Sequence, residues 1–232
     1  MLSGDTIHEL IKNKSLIKNT GLIVATERTV DDAGCGKNMC PIMSPIQTAL
    51  VELRQKVRRI LPGPADSYYE DGVRIIKVPY HDIVLNSIGP NSLDVRMSND
   101  FQEPEDSCGV IDLHSTPKLR DMKPNEEDGA YYVRPGRFCL VSTVEYFQMP
   151  KDISGQVDSR SSAGRRGLVT QTATNIQAGW EGNLMLEIIN FFDDPIRLFP
   201  YDAPSQVVFF RLDTTSSNPY HGKYQGQTGI IV

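Results

Sequence analysis

Apolar residues recur at helical spacing only in the first quarter of the chain. Ile7, Leu10 and Ile11 form one stripe behind Ser3 or Asp5, either of which can cap a helix, so the pattern predicts a first helix there. A second stripe, Ile46, Ala49, Leu50, Leu53, Val57 and Ile60, follows Ser44 at the N-cap position and Pro45 at the first helical position. Glu52 and Lys56 are set for an i,i+4 pair, and L-P-G-P at 61–64 ends this helix. Residues 20–43 carry the turn-prone D-D-A-G-C-G-K-N and read as irregular.

From Val73 onward the texture changes to short β-type runs broken by Pro, Gly, Asn and Asp. V-R-I-I-K-V, D-I-V-L, L-D-V-R-M, R-F-C-L-V-S-T-V-E-Y-F, L-M-L-E-I-I-N-F-F, I-R-L-F and Q-V-V-F-F-R-L follow in turn. That spacing predicts an all-β sandwich or barrel-like domain. Leu184 to Phe192 is apolar apart from Glu187 and Asn190, and reads as a buried central strand.

Charge narrows the class of partner. A formal net charge of −5 over 232 residues argues against a general nucleic-acid binder. A basic cluster inside an acidic chain suits a small polyanion such as a nucleotide. No apolar run approaches the roughly eighteen residues of a membrane span. The opening M-L-S-G-D-T has neither a basic nor an apolar leader region, so the expected compartment is the cytosol. Four cysteines are too few for a disulfide scaffold. Cys35 and Cys40 form a lone C-x4-C without a second pair at metal spacing, and Cys108 and Cys139 read as free thiols, Cys139 in a strand core.

Three stretches carry candidate chemistry. D-S-R-S-S-A-G-R-R-G-L, from Asp158 to Leu168, packs Arg160, Arg165 and Arg166 beside Ser161 and Ser162. Planar guanidinium forks, hydroxyls and glycine-freed N–H groups suit phosphate oxygens, although a solvated basic turn has the same composition. A Ser opening a short helical turn would also aim N–H groups at an anion. Glu187 in L-M-L-E-I-I is either a buried partner for an Arg or a general acid/base with a raised pKa. The tail N-P-Y-H-G-K-Y-Q-G-Q-T-G is either a disordered end or a lid over a polar ligand. Trp180 reads as a packing anchor.

These stretches together resemble the dCTP deaminase family of the trimeric dUTPase superfamily. R-S-S-A-G-R-R-G-L resembles that family's R-S-S-x-x-R-x-G-L motif, N-I-Q-A-G-W-E-G-N-L-M-L-E its R-I-D-P-G-W-x-G-x-I-x-L-E segment, and P-Y-H-G-K-Y-Q-G-Q-T-G its nucleotide-covering C-terminal motif. I-G-P-N-S-L-D-V-R-M at 88–97, the segment from Pro135 and the opening helix echo it more weakly, so the likeness spans residues 1–18 and 84–230.

The resemblance implies one mainly β domain over residues 1–232, a distorted β-barrel or jelly roll of β-clip type, with an N-terminal helix. An insertion at about 19–80 would hold the amphipathic helix, and a lid would span about 214–232. It implies a homotrimer with inter-subunit sites, acting in the hydrolytic deamination of dCTP to dUTP and ammonia. Glu187 would shuttle protons. Ser161 would position the attacking water and Arg165 would stabilise charge, both reaching into a neighbour's site. Arg160 and Ser162 would contact phosphate. The backbone of Met185, Leu186 and Glu187 would read the pyrimidine edge, the Ala173 carbonyl would hold the water, and Tyr220, Lys223 and Gln227 would clamp the triphosphate. Mg²⁺ would enter only on the triphosphate. The H-x-E and P-C-x-x-C signature of the zinc deaminases is missing, so zinc independence is expected.

Departures keep alternatives open. Gln177 stands where the family has an Asp that contacts the sugar 3′-hydroxyl and, in dUTPases, orients the hydrolytic water. Gln cannot act as a base, which disfavours the alternatives of a dUTP diphosphatase or a bifunctional enzyme. Thr174 and Asn175 replace a His and an Arg, so a 5-modified cytosine nucleotide fits the pattern too. From another class, a non-catalytic nucleotide-binding regulator would keep the pocket without turnover.

Overall fold

The computed structural model describes residues 1–12, 22–28, 67–70, 73–79, 87–105, 110, 112–170 and 173–232. They fall into two units, Met1–Lys18 with Ser87–Val232, and Asn19–Asn86. The expected helix at 44–60, the D-I-V-L run, the C-x4-C loop and Cys108 lie outside the described residues.

In the larger unit, helix α1 spans Gly4–Lys12. Ser3 caps it, its Oγ accepting the Thr6 N–H at 3.3 Å. The predicted stripe faces inward, with Ile7 and Ile11 fully buried. The Leu2 N–H donates to the Phe209 carbonyl and the Gly4 N–H to that of Pro90, which ties this end of the chain to the sheets.

Strands β4 (Ser92–Val95) to β14 (Ser205–Arg211) follow in that unit. One antiparallel sheet runs β10-β12-β8-β5-β6, where β5 is Gln102–Pro104, β6 Leu119–Asp121, β8 Phe138–Gln148, β10 Leu168–Val169 and β12 Glu181–Asn190. A second runs β11-β9-β14-β4, where β9 is Ile153–Ser159 and β11 Asn175–Ile176. β13 (Ile196–Leu198) pairs with β7 (Tyr131–Val133). Phe147 of β8 and Phe209 of β14 meet with ring centroids 6.4 Å apart, so the two large sheets share one core. Period-2 alternation drives this: Leu184, Leu186 and Ile188 of β12 are buried while Met185, Glu187 and Ile189 are half-buried. The mainly β class expected from the run pattern is what the chain adopts.

Three expectations need correction. Leu22–Arg28, inside the stretch read as irregular, is strand β1, because its L-I-V-A-T run has β propensity that outweighs the turn residues downstream. V-R-I-I-K-V, read as part of the β domain, lies in β3 (Val73–Pro79), the middle strand of a separate antiparallel sheet β1-β3-β2 in the smaller unit, with β2 at Ser67–Glu70. The region read as a helical insertion therefore carries a sheet. Finally, Phe191 and Phe192 are exposed and lie beyond the end of β12. Asn190 ends that strand: its side-chain amide donates to the Val133 and Asp194 carbonyls and accepts the Phe192 N–H, turning the chain away.

Candidate active site

The two arms of one hairpin belong to different sheets. Asn175 and Ile176 pair with Gln156 and Gly155 of β9, whereas Glu181 onward pairs with β8. The arms diverge from the turn at Gln177–Trp180, closed by the Trp180 N–H on the Gln177 carbonyl, and Gly179 in that turn takes φ +83°. Across the divergence the Ala173 N–H donates to Oε2 of Glu187 at 2.9 Å. Glu187 sits on the half-buried side of β12, where its carboxylate accepts this charge-assisted backbone bond. Ala173 thus meets Glu187 through its N–H, a contact the sequence reading, which assigned its carbonyl to water, did not anticipate. On the edge of β12 opposite β8, Gly182 bridges the tail and Ile189 and Asn190 pair with β10, with Met185, Leu186 and Glu187 between those two attachments.

The R-S-S stretch folds into a helical turn, α2 (Ser161–Gly164), with Arg160 rather than a serine at its N-cap. Ser161, Ser162 and Arg165 are exposed, and among the described residues none of their side chains bonds to Glu187 of the same chain. Arg166 is folded back, its Nη1 donating to the Ser162 carbonyl at 2.6 Å. Arg160 forms an ion pair with Asp94 at 3.2 Å and donates to the Ala203 carbonyl at 2.9 Å. After the turn, Gly167 takes φ +73°, and a Cβ there would lie 2.3 Å from the Phe192 ring, so only glycine fits.

The tail lies along the hairpin of its own chain. The Tyr220 N–H donates to the Ala178 carbonyl, the Gly226 N–H to that of Glu181, and the Asn183 N–H to that of Gln227. A parallel bridge joins Gly182 to Gln227, and Gln227 is buried. Trp180, buried as expected of an anchor, donates its indole N–H to the Tyr224 carbonyl at 2.8 Å. Gln225 reaches the turn from both sides, donating to the Gly179 carbonyl and accepting the Glu181 N–H. Lys223 points instead to the Val232 carbonyl at 3.1 Å, and Gln177 is exposed in the turn beneath. Gln225 and Tyr224 were not singled out from the sequence. Their neighbours Lys223 and Gln227 carried the family pattern, whereas their own role follows from where the tail docks. Tyr146 donates to Glu181 at 2.9 Å, and burial, then that bond, raises its phenol.

Among the described residues there is no group of three or more His, Cys, Asp or Glu side chains arranged to hold a metal ion, and no helix is long and apolar enough to cross a membrane. A family model described as dCTP deaminase-like matches residues 65–212. Over 144 residues the chain is 36% identical to a protein of Persephonella marina named dCTP deaminase, dUMP-forming, covering 61% of this chain and 79% of that one. A Sulfurihydrogenibium protein of the same name is 35% identical over 163 residues, covering 70% and 88%. Among solved structures, the 2′-deoxycytidine 5′-triphosphate deaminase of Agrobacterium tumefaciens is similar at 19% identity and a TM-score of 0.42, covering 67% of this chain and 46% of that one.

Proposed function

Because the chain belongs to the dCTP deaminase-like family, we propose that it replaces the 4-amino group of dCTP by oxygen from water, releasing ammonia. The observation that carries this reading is a strand carboxylate, Glu187, held by the Ala173 N–H where two hairpin arms part. Glu187 takes one proton from the attacking water and passes it to N3 as the C4–O bond forms, then carries the second, from the new C4 hydroxyl, to the amino group as the C4–N bond breaks and ammonia leaves. The backbone of Met185 to Glu187 reads the base edge, and Tyr220, Lys223 and Gln227 close over the triphosphate with its Mg²⁺. Ser161 and Arg165 come from a neighbouring copy in a trimer. Both side chains are exposed, and the exposed apolar Phe192 lies against the neighbouring Gly167, which favours this reading.

The end product turns on Gln177. The relatives named above form dUMP, which needs a second hydrolysis that expels pyrophosphate. Their names stand against dUTP as the final product and favour a bifunctional reading. The amide of Gln177 stands against that second step, since it cannot accept a proton from water. We take dUTP as the product and dUMP as the second reading.

The test supplies dCTP with Mg²⁺ and follows ammonia, pyrophosphate and nucleotide together. Ammonia with dUTP is expected from the native chain, and Gln177→Asp should add pyrophosphate release. Glu187→Gln should lower ammonia release roughly 10²–10⁴-fold while dCTP still binds. Absence of ammonia from the native chain would sink the deaminase reading, and dUMP from it would establish the second one.

A further inference from the structure

Arg160 is expected among the phosphate contacts, yet its side chain is engaged within the chain. Its guanidinium bonds the Asp94 carboxylate on β4 and the Ala203 carbonyl ahead of β14, while its own N–H donates to the Pro204 carbonyl at 2.8 Å. In the other direction, its carbonyl receives the N–H groups of Ala163 at 2.9 Å and Gly164 at 3.0 Å, which close α2. One residue therefore joins the hydroxyl-bearing turn to β4 and to the segment that leads into β14.

The rest of the loop is pinned by other means. Its neck is a run of hydroxyls, buried at Ser205 and Thr170 and half-buried at Ser159: Ser205 Oγ donates to Thr170 Oγ1 at 2.6 Å, Thr170 Oγ1 meets Ser159 Oγ at 3.1 Å, and the Thr170 N–H donates to Ser159 Oγ. Its far end is held on β12, where Leu168 and Val169 pair with Asn190 and Ile189 and the Phe191 N–H donates to the Gly167 carbonyl. The neck sets where the loop emerges and the β12 pairing sets where it returns. What remains is the direction in which Ser161, Ser162 and Arg165 face, and at that end the Arg160 side chain ties the turn to the sheet through Asp94 and the Ala203 carbonyl.

We infer that Arg160 is a positioning residue, braced by Asp94 and the Ala203 carbonyl, that aims the Ser161–Arg165 turn at the nucleotide. Asp94 then becomes a second positioning residue, contributed by a strand remote in sequence. This inference rests on the deaminase reading for its kinetic consequence and on geometry alone for its structural one. Its logic is that of near-attack geometry, in which a small misalignment of a charge-stabilising group lowers turnover without changing which groups bind.

Asp158 supplies the control. It lies opposite Gln206 on β14 just as Asp94 does from the other side, so Asp158→Asn removes an equal charge near the turn without removing the brace. In the full-length chain, Asp94→Asn is expected to lower kcat for dCTP deamination roughly tenfold to a hundredfold with KM within about twofold. Asp94→Glu should recover part of the loss, and Asp158→Asn should match the native chain. A lower KM with unchanged kcat in Asp94→Asn would overturn the inference, since it would make Arg160 a phosphate ligand that Asp94 restrains. Equal losses in Asp94→Asn and Asp158→Asn would overturn it too, by reducing the effect to general charge. If the native chain releases no ammonia, the deaminase reading fails. The brace is then judged by amide exchange at residues 161–165, which must be faster in Asp94→Asn than in Asp158→Asn for the inference to stand.

Discussion

Burial inside β8 pushes the Cys139 thiol up to about 12, with the nearby charge of Glu103 adding to the effect. A thiol raised in the folded state leaves stability intact below its ordinary value and erodes it as pH climbs toward the folded value. The unfolded chain ionises this group near 9 and the folded chain does not, so the window of loss runs from about 9 to about 12. Cys139→Ala is expected to flatten the alkaline fall in unfolding free energy by up to about 1.4 kcal/mol per pH unit across that window. Denaturant melts of both chains at pH 8, 9 and 10 would measure it, and parallel curves would contradict it. The strand-core position of Cys139 was legible from the apolar run around it, and Glu187 stood out as a lone acid in another. Which side of β12 that acid faces was hidden, because apolar residues occupy both sides of the strand and blur the period of two. The use of Arg160 was hidden for another reason: its partners, Asp94 and Ala203, come from distant strands, and nothing local marks them.

Among the elements, the tail gains its order by adding itself to an existing strand. The Gly182–Gln227 bridge, the Trp180 indole bond and the two-sided grip of Gln225 all act on residues 177–183. Because Gln225 spans the turn, Gln225→Ala should loosen the docked segment while leaving both large sheets intact. Limited trypsin cleavage after Lys223 is expected to be roughly fivefold to thirtyfold faster in that variant, as losing one or both side-chain bonds, worth about 1 kcal/mol each, raises the open population by that order. Equal cleavage rates would mean that backbone pairing alone holds the tail. The composition of this segment pointed to a lid, but its docking track follows only from the fold. At the other end, β1 was hidden by its neighbours, since Leu22–Arg28 runs straight toward the D-D-A-G-C-G-K-N stretch that dominated the local pattern.

For the whole molecule, the proposed site draws Glu187 from one copy and Ser161 with Arg165 from the next. That arrangement has a sharp consequence for mixed assemblies. Glu187→Gln and Arg165→Ala chains should each be inactive alone. Co-expressed in equal amounts, they should recover about a quarter of native ammonia release, because one neighbouring pair in four combines both intact halves. Zero recovery would place the complete site within a single chain. The smaller unit, Asn19–Asn86, interrupts the chain between α1 and β4, and among the described residues its strands pair with one another in the β1-β3-β2 sheet.

The parting of the β11 and β12 arms has an effect beyond the cleft it frames. Since each arm is anchored in its own layer, the gap between Ala173 and Glu187 is a dimension of the entire packed interior. Trimming a ring deep between the layers, at Phe147 or Phe209, would therefore detune turnover from a distance, and the enzyme's tolerance of interior change is bounded by its chemistry as much as by its ability to fold.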